Sequence, residues 1–207
     1  MTAFENENIR ELLQRFESSV KNGQMPFYDV EEFEAIIDHY LQEGAYGKAE
    51  RALESAVAQH PGETALILRK AQLSAGRKHY RKAIEILEQL ERLEPGDSDI
   101  YRNKAAIHSQ TGEHEKAIEE LYKALRQAED RDEIYSQIAF EYENLGQYDQ
   151  ALSNLKKALE SNPENESTLL ELSFCFELTD RMDEAVEYLT AFLDKYPYAQ
   201  AGWFSLG

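Results

Sequence analysis

Five alanines stand 34 residues apart, Ala49, Ala83, Ala117, Ala151 and Ala185, and four residues after each comes a leucine, Leu53, Leu87, Leu121, Leu155 and Leu189. Pro61, Pro95, Pro163 and Pro197 keep the same time, with Glu129 at the one skipped place. A register held over five copies without an insertion means one structural unit repeated, which removes most single-core folds from consideration.

One copy gives the physics of the unit. In "DEIYSQIAFEYENLG", Tyr135, Ile138, Ala139, Tyr142 and Leu145 recur every three or four positions and line one face of a helix. Gly146 supplies a left-handed stop without a side-chain clash. "QYDQALSNLKKALESNP" then places Tyr148, Ala151, Leu152, Leu155, Ala158 and Leu159 on one face of a second helix. That helix halts before Pro163, which cannot extend it. The alanines fall where two helices approach closely, so each copy is a helical hairpin. One hairpin leaves an apolar face bare, and only stacking the next one covers it.

A helix pair repeating every 34 residues, with this order of aromatic, small residue, alanine, leucine and proline, resembles the tetratricopeptide repeat family. The likeness divides the chain into five units at 30–63, 64–97, 98–131, 132–165 and 166–199. Units two and three carry Ser74 and His108 where an aromatic usually closes the first helix, and are expected to pack less tightly. Residues 1–29 are expected to form a capping helix and turn, with Ile9, Leu12, Leu13, Phe16 and Val20 at helical spacing and Asn22-Gly23 as a stop. Trp203 lies one period after Leu169, so 200–207 reads as the start of a truncated sixth repeat in a longer protein. The resemblance implies an all-α, right-handed α-solenoid of about 12 helices.

Composition narrows function. The chain carries 22 Lys plus Arg against 40 Asp plus Glu, a net charge of -18, which repels phosphate backbones and anionic lipid. No nucleic acid and no membrane are therefore expected as partners. No apolar run approaches the roughly 20 residues of a membrane span, and acids occupy the place of a basic signal region, so a cytoplasmic location is expected. Cys175 is the single cysteine, which leaves no internal disulfide and no thiolate cluster; between Phe174 and Phe176 it reads as packed and inert.

Catalytic chemistry finds little footing. His39, His60, His79, His108 and His114 form no HExxH and no pair three or four residues apart, so no metal is expected. No GxxxxGK, GxGxxG or GxSxG occurs, so neither a catalytic residue nor a cofactor is assigned. The chain reads as a non-catalytic scaffold or adaptor for a partner protein or peptide.

Two features rise above this background. Arg69, Lys70, Arg77, Lys78, Arg81 and Lys82 make a basic island with no acid from 69 to 84. It is either a solvated turn or a dock for an acidic segment, the chain's own N-terminal helix included. The second is a set of residues on the first helices, which in the resembled fold line a concave groove. Phe140 and Phe174 fall at equivalent places there with Leu170, Gln137 and Asn144, and the earlier units offer Arg69, Gln72, Arg102 and Asn103. The two aromatics either pack on neighbouring helices or stand exposed as an apolar anchor site.

The family's best-known ligand mode is a clamp of lysines, asparagines and arginine on a C-terminal carboxylate. This chain lacks it: Glu34 and Asp38 hold the corresponding places in the first unit, Leu68 with Gln72 and Arg102 with Ala106 the later ones, and Asn103 alone fits. A partner basic toward the first repeat, with an apolar anchor near Phe140 and Phe174, is expected instead. Homodimerisation is one alternative, through a face expected to expose Leu189, Phe192, Trp203 and Phe204; a regulatory array within a longer protein whose C-terminal part carries another activity is the other.

Overall fold

In a computed structural model, residues 3–199 and 202–203 are described. Among them are eleven α-helices and no strand: α1 (Ala3–Asn22), α2 (Val30–Gln42), α3 (Tyr46–Gln59), α4 (Thr64–Gly76), α5 (Tyr80–Leu93), α6 (Ser98–Gln110), α7 (His114–Leu125), α8 (Asp132–Asn144), α9 (Tyr148–Ser161), α10 (Glu166–Leu178) and α11 (Met182–Lys195). A twelfth helix would fall on 200–207, most of which lies outside the described residues. No described helix is long and apolar enough to cross a membrane.

The chain divides into two compact units, residues 1–95 with α1 to α5 and residues 96–207 with α6 to α11. Each is a file of antiparallel hairpins, α2 with α3, α4 with α5, α6 with α7, α8 with α9 and α10 with α11. All five periodic alanines and all five periodic leucines are buried. The alanine removes the side chain where two helices touch, and the leucine fills the space one turn later.

The turns repeat as faithfully as the cores. In every hairpin the first helix closes with the same backbone hydrogen bond, spanning five residues: Ala45 to Tyr40, His79 to Ser74, Glu113 to His108, Gln147 to Tyr142 and Arg181 to Phe176, all 2.8–3.0 Å. The residue before each of these donors has positive φ: Gly44, Lys78, Gly112, Gly146 and Asp180. This is the Schellman close, in which a left-handed residue lets the next amide reach back to an orphan carbonyl. The second helices of four hairpins end two residues before a proline, whereas α7, which lacks the proline, ends early at Leu125.

The N-terminal helix α1 packs on the first hairpin through Phe16, which meets Tyr28 and Phe33 edge-on at 5.9 and 6.3 Å between ring centroids. Its polar ties run to α2 and α3, Arg15 to Glu32 and Glu17 to Lys48 and Tyr40. It therefore does not dock on the basic island. Two of the island's arginines instead bind acids of the preceding hairpin: Arg77 forks onto Glu50 at 2.9 and 2.8 Å, and Arg69 Nη2 donates to Asp38 at 2.9 Å.

The exposed face expected at the last hairpin is also corrected. Leu189 and Phe192 are buried, at 2% and 7% exposure, among Leu193, Phe176 and Ala199. They belong to the inner stripe that packs within the hairpin, and Tyr188 and Tyr196 flank Phe192 at 6.1 and 5.0 Å. The large hydrophobic side chains that do reach the surface there are Leu178, Met182, Val186, Tyr198 and Trp203. Phe204 lies outside the described residues.

Candidate functional site

The first helices of the second unit, α6, α8 and α10, carry seven of the nine residues singled out from sequence: Arg102 and Asn103 on α6, Gln137, Phe140 and Asn144 on α8, Leu170 and Phe174 on α10. Ser136 Oγ lies 3.0 Å from Thr168 Oγ1, which ties α8 to α10 along their first turns. Asp132 reinforces this end by accepting from Asn162 at 2.9 Å and Asn165 at 3.3 Å. Those bonds and the buried Ile138, Ala139, Leu169 and Leu172 fix the helices, leaving the opposite stripe free of packing duties.

On that free stripe Phe140, Leu170 and Phe174 stand 55%, 59% and 59% exposed. The choice between packed and presented aromatics is thus resolved toward presentation. Phe140 and Phe174 stand at equivalent register on two helices that Ser136 and Thr168 tie together, the arrangement from which an apolar anchor site is built. Asn144 donates to the Phe140 carbonyl at 2.8 Å and Gln137 is exposed beside it, so the patch has a polar border. Leu178, two turns beyond Leu170 on α10, extends the patch and was not singled out from sequence, although its four-residue spacing from Phe174 was there to read.

Between α6 and α8 lies a cleft of ≈ 240 Å³ whose walls include Arg102, Ala106, Ser109 and Gln137. Glu141 also lines it, buried and hydrogen-bonded to His114 at 2.7 Å. Arg102 at the rim is held by Glu133 at 2.8 Å, and Asn103 turns back to the Asp99 carbonyl at 2.8 Å. Cys175, behind the patch, is buried, and that burial pushes its thiol up to about 11, which keeps it unreactive at neutral pH.

The remaining two residues, Arg69 and Gln72, lie on α4 in the first unit. Gln72 is half-buried. The Arg69 guanidinium is engaged, Nε 2.6 Å from Asp38 and Nη2 3.4 Å from Glu34. The two acids expected to receive a basic partner at the first repeat are therefore already neutralised from within, and burial pushes the Asp38 carboxyl up in spite of Arg69. Among the described residues no three His, Cys, Asp or Glu side chains converge so as to hold a metal ion.

A sequence model of the tetratricopeptide repeat matches residues 40–107, 75–139 and 145–201. Among solved structures, the chain is similar to TTC0263, a thermophilic tetratricopeptide repeat protein of Thermus thermophilus, with a TM-score of 0.66 at 23% identity over 84% of this chain and 93% of that one. It is similar also to MamA, with a TM-score of 0.60 at 20% identity over 80% of this chain and 91% of that one. A MamA from Desulfovibrio magneticus gives a TM-score of 0.60 at 18% identity, covering 80% and 93%. At these identities the likeness is one of fold. No curated protein sequence matches the chain.

Proposed function

The chain belongs to the tetratricopeptide repeat family, and from that premise we propose that it is a non-catalytic adaptor whose second unit binds another protein on the exposed faces of α6, α8 and α10. The observation that carries this reading is the exposure of Phe140, Leu170 and Phe174 on adjacent first helices, where the α4 and α6 equivalents of the two aromatics are Gln72 and Ala106. Exposed rings gain from burial against a partner at roughly 25 cal/mol per Å². The helices that carry them are already ordered, so a peptide bears the ordering cost alone. Arg102, Asn103, Gln137 and Asn144 act as the polar rim that fixes orientation.

The test is site-specific photo-crosslinking in the full chain. A photoreactive residue at Gln137 or Asn144 is expected to capture the partner, while one at Ser153 on the exposed side of α9 is not. Capture from Ser153 alone would place the binding face elsewhere.

A further inference from the structure

We propose that the occupant of α8 and α10 is a basic amphipathic helix of another protein, its apolar stripe seated on Phe140, Leu170, Phe174 and Leu178 and its lysines or arginines on the carboxylates that flank them. The inference rests on the binding face described above and adds the chemistry of the partner.

The charge on this face is one-sided. α8 and α10 together carry seven carboxylates, Asp132, Glu133, Glu141, Glu143, Glu166, Glu171 and Glu177, and not one lysine or arginine. Several are spoken for internally, Glu133 by Arg102, Glu141 by His114 and Asp132 by two asparagines. Among the described residues no cation pairs with Glu143, Glu171 or Glu177. Glu171 accepts only from the Ser167 hydroxyl, at 3.3 Å.

Glu143 and Glu171 sit on neighbouring helices and oppose one another: burial, and then the Glu171 charge, push the Glu143 carboxyl above its usual range. The register that holds Glu171 on α10 holds Arg69 on α4, whereas the acids Arg69 meets, Glu34 and Asp38, give way to Ser136 and Phe140 on α8, and Glu143 is an added acid whose counterpart on α2 is Leu41. There Arg69 neutralises Glu34 and Asp38. On α8 and α10 no lysine or arginine stands beside Glu143, Glu171 and Glu177, so a cationic partner gains by pairing with them. The basic end of the partner, expected at the first repeat, is thereby assigned to α8 and α10.

The shape of the apolar patch selects a helix over an extended strand. Leu170, Phe174 and Leu178 follow one another at four-residue intervals, a ridge about 12 Å long at 1.5 Å per residue. Such a ridge fits between the ridges of a second helix, whose own apolar residues recur every three or four positions. Carboxylates beside the ridge reject an acidic helix and attract a basic one.

The experiment uses the full chain and three capped peptides of about 18 residues, labelled for fluorescence anisotropy. The first is a leucine and lysine helix with one apolar stripe, the second keeps the stripe with glutamate for lysine, and the third shuffles the first so that the stripe is lost. The first peptide is expected to bind at least about tenfold more tightly than the other two, and to weaken by about tenfold or more in Phe140→Ser/Phe174→Ser. It is also expected to weaken in Glu143→Gln/Glu171→Gln/Glu177→Gln and to lose affinity as salt is raised. The glutamine variant changes only exposed or half-buried carboxyls, and circular dichroism checks that it folds.

Equal binding of the lysine and glutamate peptides would overturn the basic partner while leaving the apolar face standing. Equal binding of the shuffled peptide, insensitive to the serine variant, would reduce the interaction to net charge and overturn the stripe, and with it the binding face. Failure of all three peptides would overturn the inference, and the photo-crosslinking test then judges the face independently. Self-association of the chain that the first peptide competes away, and that Arg81→Glu/Lys82→Glu abolishes, would make a second copy the occupant and equally overturn it.

Discussion

His114 Nδ1 lies 2.7 Å from Glu141 Oε2, joining a half-buried imidazole to a buried carboxylate at a place where two other pairs of successive hairpins are packed by apolar side chains. At the equivalent positions Tyr46 and Leu73 share one core, and Tyr148 and Cys175 share another. Both members of the pair depart from the repeat pattern, and each departure compensates the other. Removing His114 leaves Glu141 buried without its partner, removing Glu141 takes the acceptor from a half-buried imidazole, and replacing both restores the ordinary packing. Glu141→Leu alone and His114→Ala alone are therefore each expected to lower unfolding free energy by about 1–3 kcal/mol. His114→Tyr with Glu141→Leu is expected to return to within about 1 kcal/mol of the parent. Urea unfolding of the four proteins closes the cycle, and additive losses would mean the hydrogen bond is not what joins α7 to α8.

The turns offer a stabilising change. Lys78 and Asp180 adopt φ of 61° and 54°, at the place where the other three hairpins have glycine. A side chain in this region costs roughly 1–2 kcal/mol, part of which glycine returns through its greater freedom when unfolded. Lys78→Gly and Asp180→Gly are each expected to raise the denaturation midpoint by the equivalent of about 0.5–1 kcal/mol, with the fold unchanged. A lower midpoint in both would show that the side chains hold these turns by contacts that outweigh the strain.

Acid sensitivity is expected at the third hairpin. Glu113 accepts from Lys116 and from His108, the latter at 2.8 Å, and these hydrogen bonds hold its carboxyl down at about 2, against a usual 4.5. A depressed folded-state pKa gives a contribution that is complete above about pH 4.5 and is lost as pH falls toward 2. Glu113→Gln is thus expected to destabilise the protein at pH 7 and to make almost no difference near pH 2. A destabilisation of the same size at both pH values would assign the effect to packing instead of charge.

Much of this architecture was legible in the sequence because the signal repeats. The alanine and leucine at fixed phase in five copies define which stripe faces inward, and the same phase puts Phe140 and Phe174 outside it. What escaped was pairing between successive hairpins. Arg69 to Asp38 and Arg102 to Glu133 are both 31 residues apart, and Arg77 to Glu50 and His114 to Glu141 both 27. Those offsets are set by how one hairpin leans on the next, which a single-copy helical pattern does not contain. The same limit explains Leu189 and Phe192: apolar periodicity marks a residue as packing, but not whether its neighbour lies in its own hairpin or the following one.

The polar side of the candidate site was harder to read for a related reason. Glu143, Glu171 and Glu177 look in sequence like any wetted face among 40 acids. Only the fate of the cations distinguishes them, since α4 supplies an arginine to its acidic neighbours and α10 does not.

Partner binding through the second unit is measured most directly by comparing capture of the crosslinked partner by the parent chain and by Phe140→Ala/Phe174→Ala, with circular dichroism recorded on both. The two rings are exposed, so helicity is expected to be unchanged while affinity falls by about tenfold or more. Undiminished capture by a fully helical double variant would contradict the assignment of the binding face to α8 and α10.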